Sequence, residues 1–302
     1  MVHTTVIPDI HADPNRLEAS LFMAQDDRIA FLGDFIDGHR QSEHDDHGVL
    51  TRVHELVETG RAVAVMGNHE LNAILFHRTD RDGRPLRAHD EKNRKQHETF
   101  IDSFGIGTVE AYRWTEWFLT LPLWLDLGGL RLVHACWDAD AIEKIAERRP
   151  DGRLHPMDLQ EVAGKATEFA QAVERLTSGP ELPLPNHYSF TDSKEIQRTE
   201  VRVAWWLEPG QTWQSAALSV PDPSSLPEGI VPSSAGVPFY PENAPPVLAG
   251  HYKMAGVPAL ATPQASSLDY PTSPCVYCWQ GEAKLMPTNL KRISFDNGSP
   301  QK

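Results

Sequence analysis

Apolar and polar positions in the first quarter of the chain follow two alternating rhythms. Val2–Ile7 alternates and is rich in β-branched residues, which predicts a strand. A polar stretch at 9–13 follows, and Pro14–Ala24 then sets Leu17, Leu21 and Ala24 on one side of a helix. Ile29–Leu32 predicts a second strand, ending at Gly33-Asp34. Val49–Thr59 carries Leu50, Val53, Leu56 and Val57 on one face and stops at Gly60. Ala62–Met66 predicts a third strand, ending at Gly67-Asn68. This β-α-β-α-β order predicts helices covering a largely buried sheet. Folds of that kind place their sites on polar residues just past the strand ends.

Beyond residue 76 the pattern changes. Residues 77–104 are strongly charged, with Phe100, Ile101 and Phe104 at the apolar end, and predict a helix and lid. Trp117–Leu125, the turn Asp126-Leu127-Gly128-Gly129 and Leu130–Ala135 predict a strand, a tight turn and a returning strand. Trp114, Trp117, Phe118 and Trp124 are expected in the core or at its edge. From Asp138 to Pro246 the regularity weakens. A helix is expected over Pro156–Leu176, and the eight prolines between Pro221 and Pro246 predict a long loop. Strands are expected again at Val247–Ala249, Cys275–Trp279 and Arg292–Phe295. The expected organisation is one domain over 1–302, with a charged insertion at about 77–113 and an irregular, cap-like insertion at about 138–246.

The chain has 302 residues, 40% of them hydrophobic, enough to bury a sizeable core. Its longest apolar stretches, such as Leu119–Leu125, are far too short to cross a bilayer. The N-terminus runs straight into Val6-Ile7-Pro8-Asp9 without the basic and apolar regions of an export signal, so a cytoplasmic protein is expected. A formal charge of −14 argues against an extended nucleic-acid surface, which sets Lys and Arg against phosphates. It does not argue against a phosphorylated substrate, because bound cations reverse the field inside a pocket. Cys136, Cys275 and Cys278 cannot make a disulfide framework. The lone CxxC lacks a second Cys or His pair for structural zinc, so reduced cysteines in a β-hairpin are expected.

The chemistry sits at the strand ends: Asp9-Ile10-His11, Gly33-Asp34-Phe35-Ile36-Asp37, Gly67-Asn68-His69-Glu70, Val133-His134-Ala135 and Gly250-His251. Singly, each Asp or Asn is as well explained by capping a loop or helix start. His134 alone could be a satisfied core histidine. Jointly they bring carboxylates, imidazoles and an amide oxygen together, a donor set that suits borderline divalent metals. Two cations roughly 3.5–4 Å apart can hold a phosphate, polarise it and convert a bridging water to hydroxide at neutral pH. A bridging ligand must then be a carboxylate, and an imidazolium outside the ligand set can protonate the leaving alkoxide. The glycines before Asp34, Asn68 and His251 permit sharp exits from the strands. The run Glu43-His44-Asp45-Asp46-His47 has no such turns and is expected as a solvated helix start.

These five motifs, in this order, resemble the calcineurin-like metallophosphoesterases, especially the branch with the protein Ser/Thr phosphatases and the bacterial diadenosine tetraphosphatases. Leu121-Pro122 and the hairpin into Val133-His134 also look like that branch. The resemblance implies a four-layer αββα sandwich, two mixed sheets flanked by helices. It implies that Asp9 and His11 bind a first metal, that Asp34 bridges, and that Asn68, His134 and His251 complete a second site. His69 would be the general acid, oriented by Asp37, and Glu70 would anchor the start of its helix. Two divalent or transition metals are implied; manganese is the first choice, with iron, nickel, zinc or magnesium also compatible.

Three departures bear on substrate. The first motif reads Pro8-Asp9-Ile10-His11-Ala12 rather than GDIHG, and the last reads Gly250-His251-Tyr252 rather than GHT. The Arg of GDxxDRG, which contacts substrate phosphate in the relatives, is absent from Asp37-Gly38-His39-Arg40. Arg40 and Arg202 are the candidate replacements, since a positioned cation stabilises transferring phosphoryl oxygens. Lys194 and Arg198 precede Arg202, and Arg78, Arg81, Arg84 and Arg87 could line the pocket mouth. Trp205 or Trp206 could stack on an aromatic leaving group. The expected function is a phosphomonoesterase acting on a phosphorylated small molecule, nucleotide or phosphoprotein. The alternatives are a nucleotide or dinucleoside polyphosphate hydrolase and a non-catalytic phosphate-binding protein.

Overall fold

The period-two segment at the start of the chain forms β1 (Thr4–Ile7) in a computed structural model that describes residues 3–38, 43–192 and 195–294. Pro14, at the first position of α1 (Pro14–Ala24), supplies a preset φ, while the Asp13 side chain accepts from Arg16 N at 2.9 Å. The order continues with β2 (Arg28–Phe31), α2 (Asp46–Glu58), β3 (Ala62–Ala64) and α3 (Asn68–His77). Then come α4 (Glu91–Gln96), α5 (Glu98–Phe104) and α6 (Val109–Phe118), followed by β4 (Trp124–Asp126) and β5 (Arg131–Val133). The next stretch holds α7 (Ala139–Ala146), α8 (Leu159–Gly164), α9 (Glu168–Ser178), β6 (Glu181–Pro183), β7 (Phe190–Thr191), β8 (Gln197–Arg198), β9 (Glu200–Val203), α10 (Trp213–Ala216) and β10 (Ala217–Leu218). The last strands are β11 (Val247–Ala249), β12 (Ala265–Ser267), β13 (Cys275–Trp279) and β14 (Leu290–Arg292).

Two mixed sheets carry the architecture. One has the order β14-β13-β1-β2-β3, with β1, β2 and β3 parallel; the other has the order β12-β11-β5-β4, with β12, β11 and β5 parallel. Alternation along each strand sorts the side chains into layers. Val6, Ala30 and Tyr277 of the first sheet share a buried cluster with Leu132 and Leu248 of the second. Ile7, Ile29 and Phe31 point the other way and join Leu17, Leu50 and Val53 of α1 and α2; Val133 and Ala249 join Val173 and Leu176 of α9. The result is an αββα sandwich of two mixed sheets flanked by helices. Two smaller sheets, β10-β9-β6 and β7-β8, lie within 181–218. No helix among the described residues is long and apolar enough to cross a membrane.

Two departures from the expected elements bear on how the helices pack. Trp117 and Phe118 end a helix rather than begin a strand: Thr108 caps α6, and Ala111, Trp114, Thr115 and Phe118 bury one helical face. The expected helix over 156–176 is broken in two. Lys165 ends α8 in the left-handed region at φ 53°, and Thr167 caps α9 through Ala170 N. Cys275 and Cys278, three apart on β13, face opposite sides of the sheet, and all three cysteines are free. The last strand is Leu290–Arg292 and not the expected Arg292–Phe295: it overlaps the expectation only at Arg292, Ile293 and Ser294 lie past its end, and Phe295 lies outside the described residues.

Candidate metal centre

Parallel pairing brings strand ends together, and the ends of β1, β2 and β3 adjoin those of β5 and β11. Asp9 and His11 follow β1, Asp34 and Asp37 follow β2, Asn68 and His69 begin α3, His134 follows β5, and His251 follows β11. Potential ligand atoms of His11, Asp34 and His69 all lie within 4.8 Å of one another, and so do those of Asp34, His134 and His251. Asp34 is the carboxylate common to both groups. The Asn68 Oδ1 lies 2.9 Å from His134 Nε2 and 2.7 Å from His251 Nδ1. Asp9, fully buried, accepts the His251 backbone N–H at 3.1 Å on each oxygen.

The imidazoles are arranged as ligands need to be. His134 Nδ1–H donates to Leu32 O at 2.7 Å, and His11 Nδ1–H donates to Ile36 O at 3.3 Å. Each ring is thereby oriented, and Nε2 is turned toward the cluster, the pattern by which a histidine is prepared for a metal. His251 Nε2 is buried with no hydrogen-bond partner among the described residues. Two overlapping sets of oxygen and imidazole donors around one shared carboxylate fit a pair of divalent cations.

The backbone is strained where the chemistry is. His11, Asp34, Asp37 and His251 have φ of 51°, 53°, 64° and 65°, in the left-handed region. Each costs on the order of 1–3 kcal/mol and persists only where its surroundings over-determine it. Glu70 is one such determinant. Its carboxylate accepts Asp34 N and Phe35 N, both at 2.8 Å, and Gly67 N at 2.9 Å, tying the turn after β2 to the start of α3. Gly67 and Gly250 keep ordinary φ, so close approach is their reason: a Cβ on Gly67 would strike Asp34 Oδ1, and one on Gly250 would strike Asp9 Oδ2.

Charge is distributed unevenly over these groups. Burial disfavours a charged His134, but Asp34 outweighs it and raises its pKa to about 10. His69 is likewise raised to about 9 against burial, by Asp34 and Asp37. Burial and the neighbouring His69 lower His11 to about 3, while burial and His134 push His251 well down. Asp9 is pushed well up by burial and by Asp269. A field that holds protons on buried imidazoles is one that attracts cations in their place.

Beside this cluster His69 Nδ1 donates to Asp37 Oδ2 at 2.6 Å, and His69 Nε2 lies 3.9 Å from Asp34 Oδ2. Three residues near the centre escaped the sequence reading. Asp46, expected in a solvated run, is fully buried and accepts Asp37 N at 3.0 Å. His97 donates to Asp37 Oδ1 at 2.7 Å. Asp269, 1% exposed, lies 3.9 Å from Arg16 and has no hydrogen bond to either oxygen among the described residues. A charge run hides Asp46 and His97, because periodicity carries no information about which member turns inward.

The remaining candidates are more scattered. Arg40 and Lys194 lie outside the described residues. Arg202, on β9, pairs with Glu181 at 2.9 Å and is close enough to His251 to help lower its pKa. Arg198 pairs with Asp192, Arg78 with Glu116, and Arg84 with Asp82. Arg87 is held by the Asn72 and Gln96 side-chain oxygens, at 2.6 and 2.9 Å, and lines a cavity of about 110 Å³ that also reaches Asn68. Trp205 and Trp206 are 0% and 4% exposed; Trp205 donates to Ala135 O at 3.0 Å and Trp206 packs on Tyr252, so both serve the core.

No curated protein matches the chain. Among solved structures, it is similar to a metallophosphoesterase from Sphaerobacter thermophilus with 21% identity and a TM-score of 0.32, over 44% of this chain and 46% of that one. A cold-active protein-tyrosine phosphatase of a psychrophilic Shewanella superposes over 97% of this chain and 81% of its own, with 12% identity and a TM-score of 0.52. A protein serine/threonine phosphatase from Saccharomyces cerevisiae aligns over 99% and 81% respectively, with 11% identity and a TM-score of 0.45. The Shewanella likeness shows a shared fold. The sequence profile described as calcineurin-like phosphoesterase matches residues 2–206, which include Asp9, His11, Asp34, Asn68, His69 and His134. The chain belongs to the calcineurin-like phosphoesterases.

Proposed function

We propose that the protein is a dinuclear metal-dependent phosphomonoesterase of the branch that includes the protein Ser/Thr phosphatases and the bacterial diadenosine tetraphosphatases. The observation that carries the reading is Asp34, the one carboxylate common to both groups of potential ligands. Asp9, His11 and Asp34 would hold one cation, and Asp34, Asn68, His134 and His251 the other. Manganese is our first choice among the metals this donor set accepts. Two such cations would polarise the ester phosphate and acidify the attacking water.

The chain's own groups do the rest. Asp37 holds His69 by Nδ1, leaving Nε2 beside Asp34 to give its proton to the departing alkoxide oxygen. Burial of the ligands keeps bulk water from screening the attraction between cations and phosphate. The cavity beside Asn68, with Arg87 on its wall, is a suitable space for the leaving group. Arg202, beside His251, is a candidate to oppose the phosphate oxygens. The irregular 138–246 stretch would then be a cap-like excursion that shapes this side of a single domain.

The test compares the wild type with His69→Asn. The variant is expected to keep its metal while kcat falls roughly 10²–10⁴-fold. Metal content and steady-state kinetics would show this, and full activity in the variant would overturn the acid role. Assays with manganese on a phosphomonoester, a phosphodiester and a dinucleoside tetraphosphate separate the reading from its nearest rival. Turnover of the tetraphosphate alone would favour the dinucleoside polyphosphatase.

A further inference from the structure

On the far side of Asp37 from His69 stands a second histidine. His97, 5% exposed, occupies the junction where α4 ends and α5 begins, with its ring stacked on Phe100 at 4.6 Å and edge-on to Phe76 at 5.2 Å. Its Nδ1 is 2.7 Å from Asp37 Oδ1, while His69 Nδ1 is 2.6 Å from Asp37 Oδ2. Its other nitrogen, Nε2, is 3.3 Å from His77 Nε2. His77 is the last residue of α3, whose second residue is His69. A closed circuit results: His69 to Asp37, Asp37 to His97, His97 to His77, and back along the helix.

The donors in this circuit can be assigned. The Gly107 backbone N–H, a donor only, faces His77 Nδ1 at 3.5 Å, so His77 Nδ1 carries the lone pair and Nε2 the proton. His77 Nε2–H therefore donates to His97 Nε2. That leaves His97 with its proton on Nδ1, aimed at Asp37. Every hydrogen bond then points toward the carboxylate, with one imidazole N–H on each oxygen. An Asp37 held on both oxygens cannot swing about its Cβ–Cγ bond, and its backbone N–H is separately held by Asp46.

We infer that His97 is a positioning residue for proton delivery: it fixes the Asp37 carboxylate so that His69 Nε2 stays aimed at the leaving group. This rests on the acid role proposed for His69. His97 touches no ligand candidate, so its contribution appears only where leaving-group protonation matters.

The test uses His97→Phe, His97→Gln and His69→Asn, assayed on p-nitrophenyl phosphate, whose leaving group departs unaided, and phenyl phosphate, whose leaving group needs the proton. Phe conserves the stacking on Phe100 but offers no N–H; Gln can still donate to Asp37. His97→Phe is expected to lower kcat on phenyl phosphate roughly ten- to a hundred-fold, by analogy with other outer partners of functional groups. Its kcat on p-nitrophenyl phosphate should change little, with KM and metal content unchanged, and His97→Gln should recover most of the loss. NMR of isotope-labelled histidines should find the His97 proton on Nδ1. Equal losses on both substrates, loss of metal, or a His97 proton on Nε2 would overturn the inference. A selective defect in His69→Asn but not in His97→Phe would also overturn it, while leaving the acid role intact. No selective defect in His69→Asn would bring down both.

Discussion

Asp9, Asp34, His134 and His251 are 0%, 3%, 0% and 8% exposed, and their positions are set by strand ends, strained turns and backbone hydrogen bonds. Near His251, by contrast, the Arg202 side chain is 37% exposed on a short strand, and an exposed Glu181 is its partner. The first region is rigid because Asp9, Asp34 and His134 are each held by backbone from another segment, and His251 by the Asp9 carboxylate and the Asn68 side chain. The second is held by an ion pair of the exposed kind, worth about 0–1 kcal/mol. Arg202 can therefore leave Glu181 for another anion at little cost, whereas Asp34 cannot move without its whole turn moving. On the function proposed above, the chemistry would use the fixed half and recognition the adjustable one.

The most severe way to break this contrast is Asp34→Asn, which removes the shared carboxylate. Metal content should fall, and turnover should drop by more than the roughly 10²–10⁴-fold typical of losing an acid–base group. Retention of both metals would break the assignment of Asp34. Gly67→Ala tests the rigidity itself, because its methyl collides with Asp34 Oδ1. Overpacking of this kind costs about 1–3 kcal/mol, so the melting temperature and metal affinity should both decline.

Asp46 offers a subtler probe. Burial raises its pKa from 3.8 to about 6, so the folded state binds its proton more tightly than the unfolded state does. Its contribution favours folding below pH 3.8 and is lost as pH rises through about 6. A shift of about two units corresponds to roughly 3 kcal/mol at most. Asp46→Asn should flatten that part of the stability profile in denaturant titrations at pH 4 and pH 7; an unchanged slope would assign the titration elsewhere. Arg202→Ala should have the smallest effect, a few-fold rise in KM with kcat and melting temperature nearly unchanged. A large fall in kcat would place Arg202 in the rigid half.

How much of this was legible in sequence follows the same division. The alternation around β1, β2 and β3 and the helical stripes of α1 and α2 marked out the first sheet and its helices, and the motifs past the strand ends marked the residues that converge. Those signals are local: a strand end and a glycine can be read within five residues. Asp46, His97 and Asp269 are not legible, because tertiary packing and not local pattern turns them inward: His97 meets Asp37, 60 residues away, Asp269 lies by Arg16, and Asp46 reaches Asp37 only through the turn between β2 and α2. The helix break at Lys165 leaves no mark in the sequence because a non-glycine residue takes the left-handed conformation there, which composition does not announce. The passage from α6 into β4 is ambiguous in sequence because buried aromatics suit a helix face and a strand equally.

The bond between the His251 backbone and Asp9 spans 242 residues, and β1 is flanked on one side by β13, from the last part of the chain. Such long-range pairing forms late, after the entropy of closing so large a loop has been met. On a ribosome, the emerging chain would therefore present Asp9, His11 and Asp34 before the strands that clamp them exist. Assembly of the candidate metal centre would await the arrival of β11 and β13, and so would become a checkpoint on the synthesis of these late strands.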